Sequence, residues 1–417
     1  MAAIEHLLIS KIIDDQSLIE AQKAGIKPVY FAGEWESTYQ WIIDYNMEHG
    51  AVPSERAFLN AHADTTIEGT ANETFSGLFA ELLDAYRKRI MGESISDAMV
   101  PLDADDVKGA MSILSQGLQS AAVDTARIRD FNIVEGWEER LAKYEEMRNT
   151  TNALRGVPTG FAGLDNLTQG FRPQQFIVLV GEPKRGKSLF ELIMASAAHV
   201  HGLKPMFISF EMSVAEQLSR YDAFAAKIPF DRILSGNLSD FEMDRIKAQM
   251  VLRKNMQPFI MSEDTSSLTT LGALSAKCQE YQPDALYVDG AYLMDDEHGE
   301  KKGSPQALTN ITRGFKRLAQ HFDIPVIITT QVLSWKLTNK RTRAITGDSI
   351  GYTSSFVQDA DLVLGVERNP DFDDQAIIRV VEARTAPHGI VNVKWDWTTM
   401  EFEEVEYEGD IDPSYDE

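Results

Sequence analysis

Residues 181 to 188 read Gly181-Glu-Pro-Lys-Arg-Gly-Lys-Ser188, and the run just before them, Phe176-Ile-Val-Leu-Val180, is apolar, β-branched and of strand length. Together they predict a strand, a glycine loop and a helix start, the arrangement of a phosphate-binding P-loop. The spacing matters because glycines let successive backbone N–H groups turn inward around phosphates. The helix that follows points its positive dipole end at the same place. Lys187 is then expected to reach the β- and γ-phosphates of a nucleoside triphosphate, and Ser188 to ligate Mg2+.

From about residue 156, strand-length apolar runs alternate with helical patterns, which predicts a parallel sheet with crossover helices. The strand candidates are 176–180, 206–210, 285–288, 326–330, 362–366, 377–381 and 390–395. Several end in a polar residue, Glu211, Asp289 or Gln331, and the carboxyl edge of an open α/β sheet is where ligands collect. Asp289 is suited to the Mg2+ shell opposite the loop hydroxyl. Glu211 can serve either as the base that activates a water or as a helix-start residue for the segment from Ser213. Gln331 can accept from that water or donate to a phosphate, and it precedes a basic stretch with Lys336, Lys340, Arg341 and Arg343. That stretch fits either a nucleic-acid backbone or a solvated face.

Residues 1–120 read as a small helical domain, with apolar stripes such as Leu7, Leu8, Ile12, Ile13 and Phe75, Leu78, Phe79, Leu82, Leu83, Tyr86. Nothing in it looks catalytic, so it is expected to organise an assembly or hold a partner. The segment 121–155 reads as a connector whose amphipathic helix carries Phe131, Val134, Trp137, Leu141 and Tyr144, packed either on its own domain or on a neighbouring subunit. With 417 residues and 43% hydrophobic content the chain can bury more than one core. No apolar run is long enough to span a bilayer, and Glu5 and Lys11 interrupt the N-terminal stretch, so no membrane is expected and the location is expected to be cytoplasmic. The lone Cys278 is expected to be a core thiol, and His199 and His201 have no metal-ligand spacing. A net charge of -24 argues against a surface that coats nucleic acid as a whole, while leaving room for a local basic lining. Part of the excess lies in 401–417, which is expected to be a solvated acidic tail.

Taken in order, Gly156-Val-Pro-Thr-Gly-Phe161 with Leu164-Asp165, the P-loop, Ser209-Phe-Glu-Met212 with Gln217-Leu-Ser-Arg220, Val288-Asp-Gly-Ala-Tyr-Leu-Met294, Thr330-Gln331 and Gly347-Asp-Ser349 through Gln358-Asp-Ala-Asp361 resemble the DnaB-type replicative helicases. The resemblance implies an α/β fold: a RecA-like P-loop ATPase domain with a parallel-rich central sheet over 156–400, behind a small all-α collar and a linker helix. It also implies that Lys187 and Ser188 contact phosphate and metal, Glu211 is the catalytic glutamate, Asp289 the Mg2+-side acid and Gln331 the γ-phosphate sensor. ATP contacts are then expected from Gly181, Pro183, Lys184, Arg185, Gly186, Leu189 and Arg220 as well.

Val380-Val-Glu-Ala-Arg384 falls where the family carries a lysine and an arginine that reach the next subunit's ATP site. Arg384 matches the arginine finger. Glu382 replaces the lysine, and Lys184 or Arg185 are candidates for the missing cation. The resemblance further implies a homo-hexamer translocating 5′ to 3′ on single-stranded DNA at a replication fork, with a primase and a helicase loader as possible partners. Lys301 and Lys302 join the 336–343 stretch as candidate DNA contacts. The alternatives are a filament-forming RecA-like recombinase and a nucleotide-gated ring scaffold or loader that does not unwind.

Overall fold

The computed structural model describes residues 4–70, 73–121, 133–134, 136–149, 154–265, 269–297, 299–331, 345, 355–369, 371–396 and 401–406. It divides into two units, Met1–Arg148 and Asn149–Glu417.

The first unit is helical throughout its regular elements, and the apolar stripes set where the helices lie. These are α1 (Ile4–Asp14), α2 (Leu18–Lys23), α3 (Glu34–His49), α4 (Glu55–Ala61), α5 (Phe75–Asp103), α6 (Val107–Ala121) and, at the boundary, α7 (Trp137–Asn149). Leu8, Ile9, Ile12 and Ile13 of α1 share one core with Leu78, Phe79, Leu82 and Tyr86 of α5, and Tyr30, Phe31 and Tyr39 fill it. Ser54 and Thr74 cap α4 and α5, their hydroxyls accepting the N–H of Ala57 and Gly77. α7 buries none of its residues, and Trp137, Leu141 and Tyr144 stand exposed along it. Phe131 lies outside the described residues. Among the described residues, no helix is long and apolar enough to cross a membrane.

The second unit is built on a sheet of β1 (Phe176–Gly181), β2 (Pro205–Ser209), β3 (Ile260–Glu263), β4 (Ala285–Asp289), β5 (Val326–Gln331), β6 (Leu362–Arg368), β7 (Gln375–Ala383), β8 (Gly389–Asp396) and β9 (Glu401–Val405). Its order is β3-β2-β4-β5-β1-β6-β7-β8-β9. Around β1 the pairing is parallel, with Val178 opposite Ile328 on one side and Val363 on the other. Both faces are covered, as a parallel sheet requires. The helices are α8 (Ala162–Thr168), α9 (Lys187–Val200), α10 (Val214–Ala226), α11 (Phe230–Ser235), α12 (Asp240–Arg253), α13 (Leu271–Tyr281), α14 (Pro305–Phe322) and α15 (Ser355–Asp359). Alternation along β1 sends Ile177 and Leu179 into a core with Phe190 and Met194 of α9. Phe176, Val178 and Val180 enter a second core with Ile311 and Phe315 of α14.

Two departures from the sequence reading stand out. β7, β8 and β9 are antiparallel to their neighbours, because short connections between them can form hairpins but cannot return a strand in parallel. Residues 401–405, expected as the start of a solvated tail, instead form β9, where Phe402 pairs with Trp395 and packs near Phe190. Phe402 carries the packing, Glu404 on the same face accepts the N–H of Gly163 at 2.8 Å, and Glu401 pairs with Lys227. The remainder of the tail, 407–417, lies outside the described residues.

One acid lies deep in the core. Glu191 of α9 is fully buried; its Oε1 accepts the N–H of Val288 at 3.1 Å, and its Oε2 has no partner among the described residues. Burial, with Asp289 and Glu211 nearby, holds this carboxyl well above the ordinary glutamate range. The fold therefore keeps a proton that the unfolded chain releases. The stability this contributes is complete below the ordinary glutamate range and is lost as pH rises toward the folded-state value. Glu191→Gln cannot ionise, so it should gain on the wild type by up to about 1.4 kcal/mol per pH unit through that window. Urea unfolding of both proteins from about pH 5 to about pH 8 measures the difference, and parallel curves would show that Glu191 does not hold its proton in the fold.

Candidate nucleoside triphosphate site

β1 is buried along its length and delivers the loop to the carboxyl edge of the sheet. Gly186, with φ +82, caps α9 in the left-handed region that favours glycine, and the N–H groups of Leu189 and Phe190 both bond its carbonyl. The first-turn N–H groups ahead of them have no intrahelical acceptor, which is how a helix start presents donors to an anion. Lys187 is 8% exposed, and its Nζ donates to the Glu182 carbonyl at 3.0 Å. Burial pulls its pKa down, against the opposing pull of Glu211, Asp289 and Glu182. Arg185 pairs with Glu182 within the loop at 3.3 Å.

Asp289 closes β4 and gathers hydroxyls from three other elements. Ser188 of α9 donates to Oδ1 at 2.7 Å, Thr329 of β5 to Oδ1 at 2.9 Å, and Ser209 of β2 to Oδ2 at 3.0 Å. Burial raises the Asp289 pKa and these donors oppose the shift. The strand register explains the meeting, since Ser209 lies directly opposite Asp289. The two hydroxyls from the strands then set the turns that follow. Ser209 Oγ accepts the N–H of Glu211 and Met212, and Thr329 Oγ1 accepts the N–H of Gly290 at 2.8 Å. Gly290 has φ +81, and a Cβ there would lie 3.1 Å from Glu211 Cγ, so any other residue would strain the turn and crowd the acid.

Tyr292, in the 3-10 turn Ala291–Leu293, joins the remaining groups. Its hydroxyl donates to Glu211 Oε1 at 2.6 Å and accepts from Gln331 Nε2 at 2.5 Å. The structure thus brings together Gly181, Pro183, Lys184, Arg185, Gly186, Lys187, Ser188 and Leu189 in one loop and helix start, with Asp289, Glu211 and Gln331 beside it. Sequence reasoning missed Ser209, Thr329, Tyr292 and Glu191. The first two could have been found as polar residues near the ends of otherwise apolar strands.

Other expected residues lie elsewhere. Arg220 pairs with Glu216 on its own helix at 2.9 Å and lies over the Phe230 ring. Lys301 and Lys302 are exposed between β4 and α14, and Lys302 pairs with Asp295. Arg384 follows β7 at the opposite, amino edge, where Ala383 pairs with Leu362 at the start of β6. There its guanidinium meets Asp361 at 3.5 Å, and Asp361 also holds the Phe176 N–H and Lys316. The length of β1, 6 residues, separates this edge from the P-loop by roughly 17 Å. Glu382 lies on β7 beside Val363 at the same edge. Lys336, Lys340, Arg341 and Arg343 are outside the described residues, as are Gly347, Asp348 and Ser349.

The chain is similar to known proteins in fold and in sequence. The fold resembles a solved ATPase domain, with a TM-score of 0.60 at 19% identity, over 67% of this chain and 100% of that one. It also resembles a structure described as "The Structure Of A DnaB-Like Replicative Helicase And Its Interactions With Primase", with a TM-score of 0.64 at 16% identity over 97% of this chain and 99% of that one. A probable replicative DNA helicase of Trieres chinensis is 29% identical over 61% of this chain and 58% of its own length. The replicative DNA helicase DnaB of Geobacillus stearothermophilus is 26% identical over 60% of this chain and 56% of its own. The chain thus spans less than two thirds of the length of these relatives. Residues 156–404 match the family described as "DnaB-like helicase C terminal domain", and the chain belongs to that family.

Proposed function

We propose that this chain is an ATP-driven replicative DNA helicase that works in the cytoplasm, assembles as a head-to-tail homo-hexamer around one DNA strand and moves along it 5′ to 3′. The observation that carries the reading is the meeting of Lys187, Ser188, Asp289, Glu211 and, through Tyr292, Gln331 at one sheet edge of a chain in this family. Lys187, turned from the Glu182 carbonyl, sets its charge against the β- and γ-phosphates. Ser188 Oγ and the Asp289 carboxylate, 2.7 Å apart, are hard oxygen donors of the kind Mg2+ accepts, and they would hold it. Bound there, the ion would neutralise charge on the phosphate oxygens. Glu211 orients a water and takes its proton as the water oxygen bonds to the γ-phosphorus; the bond from phosphorus to the bridging oxygen breaks and ADP leaves. Gln331 contacts the γ-phosphate and links its presence to the basic stretch that follows.

The separation of Arg384 from its own loop supports a role in the neighbour's site, since a heterologous ring brings the amino edge of one copy to the P-loop of the next. Glu382 removes the family's second cation from that edge, and Lys184 or Arg185 of the loop replace it. A primase and a helicase loader are the partners we assign to the helical first unit, by analogy with the neighbour described with primase.

Glu211→Gln should keep ATP affinity but lose turnover, because the amide preserves shape and cannot act as a base; Lys187→Ala should lose hydrolysis without losing the oligomer. Equal loss of nucleotide binding in Glu211→Gln would make that residue structural. Replacing Lys336, Lys340 and Arg341 with alanine should weaken single-strand binding and flatten its salt dependence by about 0.7 in log-log slope per lost contact. An unchanged slope sends the DNA path elsewhere.

Arg384→Ala should bind ATP and hydrolyse it roughly a thousandfold more slowly, as arginine fingers do. In rings mixed equally from Lys187→Ala and Arg384→Ala chains, about a quarter of interfaces regain both groups if assembly is random. Recovered ATPase marks action across the interface; none, in rings shown to have exchanged subunits, rules it out.

A further inference from the structure

Glu211 follows β2 and Gln331 ends β5, yet one hydroxyl ties them. Tyr292 donates its O–H to Glu211 Oε1 at 2.6 Å and accepts an N–H of Gln331 at 2.5 Å. The ring is half-buried and packs against the apolar core that contains Val288 and Ala291, so its position is fixed by packing as well as by these bonds. Gly290 bonds Thr329, and Thr329 bonds Asp289, so the turn carrying Tyr292 is also anchored to the acid at the P-loop. A hydroxyl that donates in one direction must accept from the other, and this sets the orientation of the Gln331 amide. The Nε2 faces Tyr292.

We infer that Tyr292 is a positioning residue that couples the γ-phosphate sensor to the general base, so that Gln331 and Glu211 act as one unit. The inference rests on the roles given above to Glu211 and Gln331. It predicts that loss of the hydroxyl, with the ring kept, acts on turnover and on recognition of the third phosphate. A residue that only supported the fold would act alike on every nucleotide.

The test is a double-mutant cycle in the full chain, with Tyr292→Phe, Gln331→Ala and the pair. Tyr292→Phe should lower kcat about tenfold, the scale of one hydrogen bond to a charged group. It should also lower the affinity for a non-hydrolysable ATP analogue about fivefold, while leaving ADP affinity unchanged. In the Gln331→Ala background the same substitution should have almost no further effect on either quantity. Losses that multiply in the double variant, or equal weakening of ADP and the analogue, would overturn the coupling. Glu211→Gln run alongside separates the two levels: wild-type turnover in that variant removes the base itself and the coupling with it. Loss of turnover there, with an additive cycle, removes the coupling alone.

Discussion

The Asp289 carboxylate is the point on which the second unit's working edge depends. A buried carboxylate is costly unless its oxygens are paired, and here the pairing comes from hydroxyls on α9, β2 and β5. Each of those elements is thereby held at a fixed height against β4. The same hydroxyls serve twice. Ser209 accepts the backbone N–H groups that turn the chain toward Glu211, and Thr329 accepts the one that turns it toward Tyr292. Loss of the carboxylate would therefore release the Ser188 hydroxyl and loosen the supports of two turns at once.

Much of this edge was legible in the sequence because its elements are local. The β1 strand and the P-loop are contiguous, and Lys187, Ser188, Asp289, Glu211 and Gln331 each follow or close an apolar run whose termination marks a sheet edge. Tyr292 was not legible in the same way. It lies in a turn just past the strand, whose direction is set by Gly290 and by a bond to Thr329 on another strand, so its reach follows from strand order. Glu191 was equally hidden, since a glutamate in the first turns of an amphipathic helix normally faces water. Among the strands, β3 is too short for an alternating pattern, and β9 was masked by its acidic side chains although Phe402 supplies the packing.

The charge around Lys187 gives the site a further constraint. Glu211, Asp289 and Glu182 all act on this one buried lysine, and Glu191 lies close enough to be raised by two of them. With every carboxyl ionised, the edge would repel any anion brought to the loop. The fold relieves this in two ways: Glu191 is so deeply buried that the neutral form is favoured, and Asp289 is surrounded by hydrogen-bond donors. The remaining positive potential comes from the loop N–H groups and the helix start, which are fixed dipoles that cost no further reorganisation on binding.

The two edges of the sheet carry different charge arrangements, and the difference bears on assembly. At the carboxyl edge the acids converge on one lysine. At the amino edge Asp361 is shared by Lys316, Arg384 and the start of β1, and Arg384 is the most exposed member, with 59% of its side chain accessible. An arginine held at one end by a carboxylate and open at the other costs less entropy to immobilise than a free one, because its base is already oriented. Within one chain the acids gathered at the carboxyl edge and the exposed Arg384 at the amino edge are held apart by the length of the buried β1 strand, so the charge of Arg384 does not offset those acids.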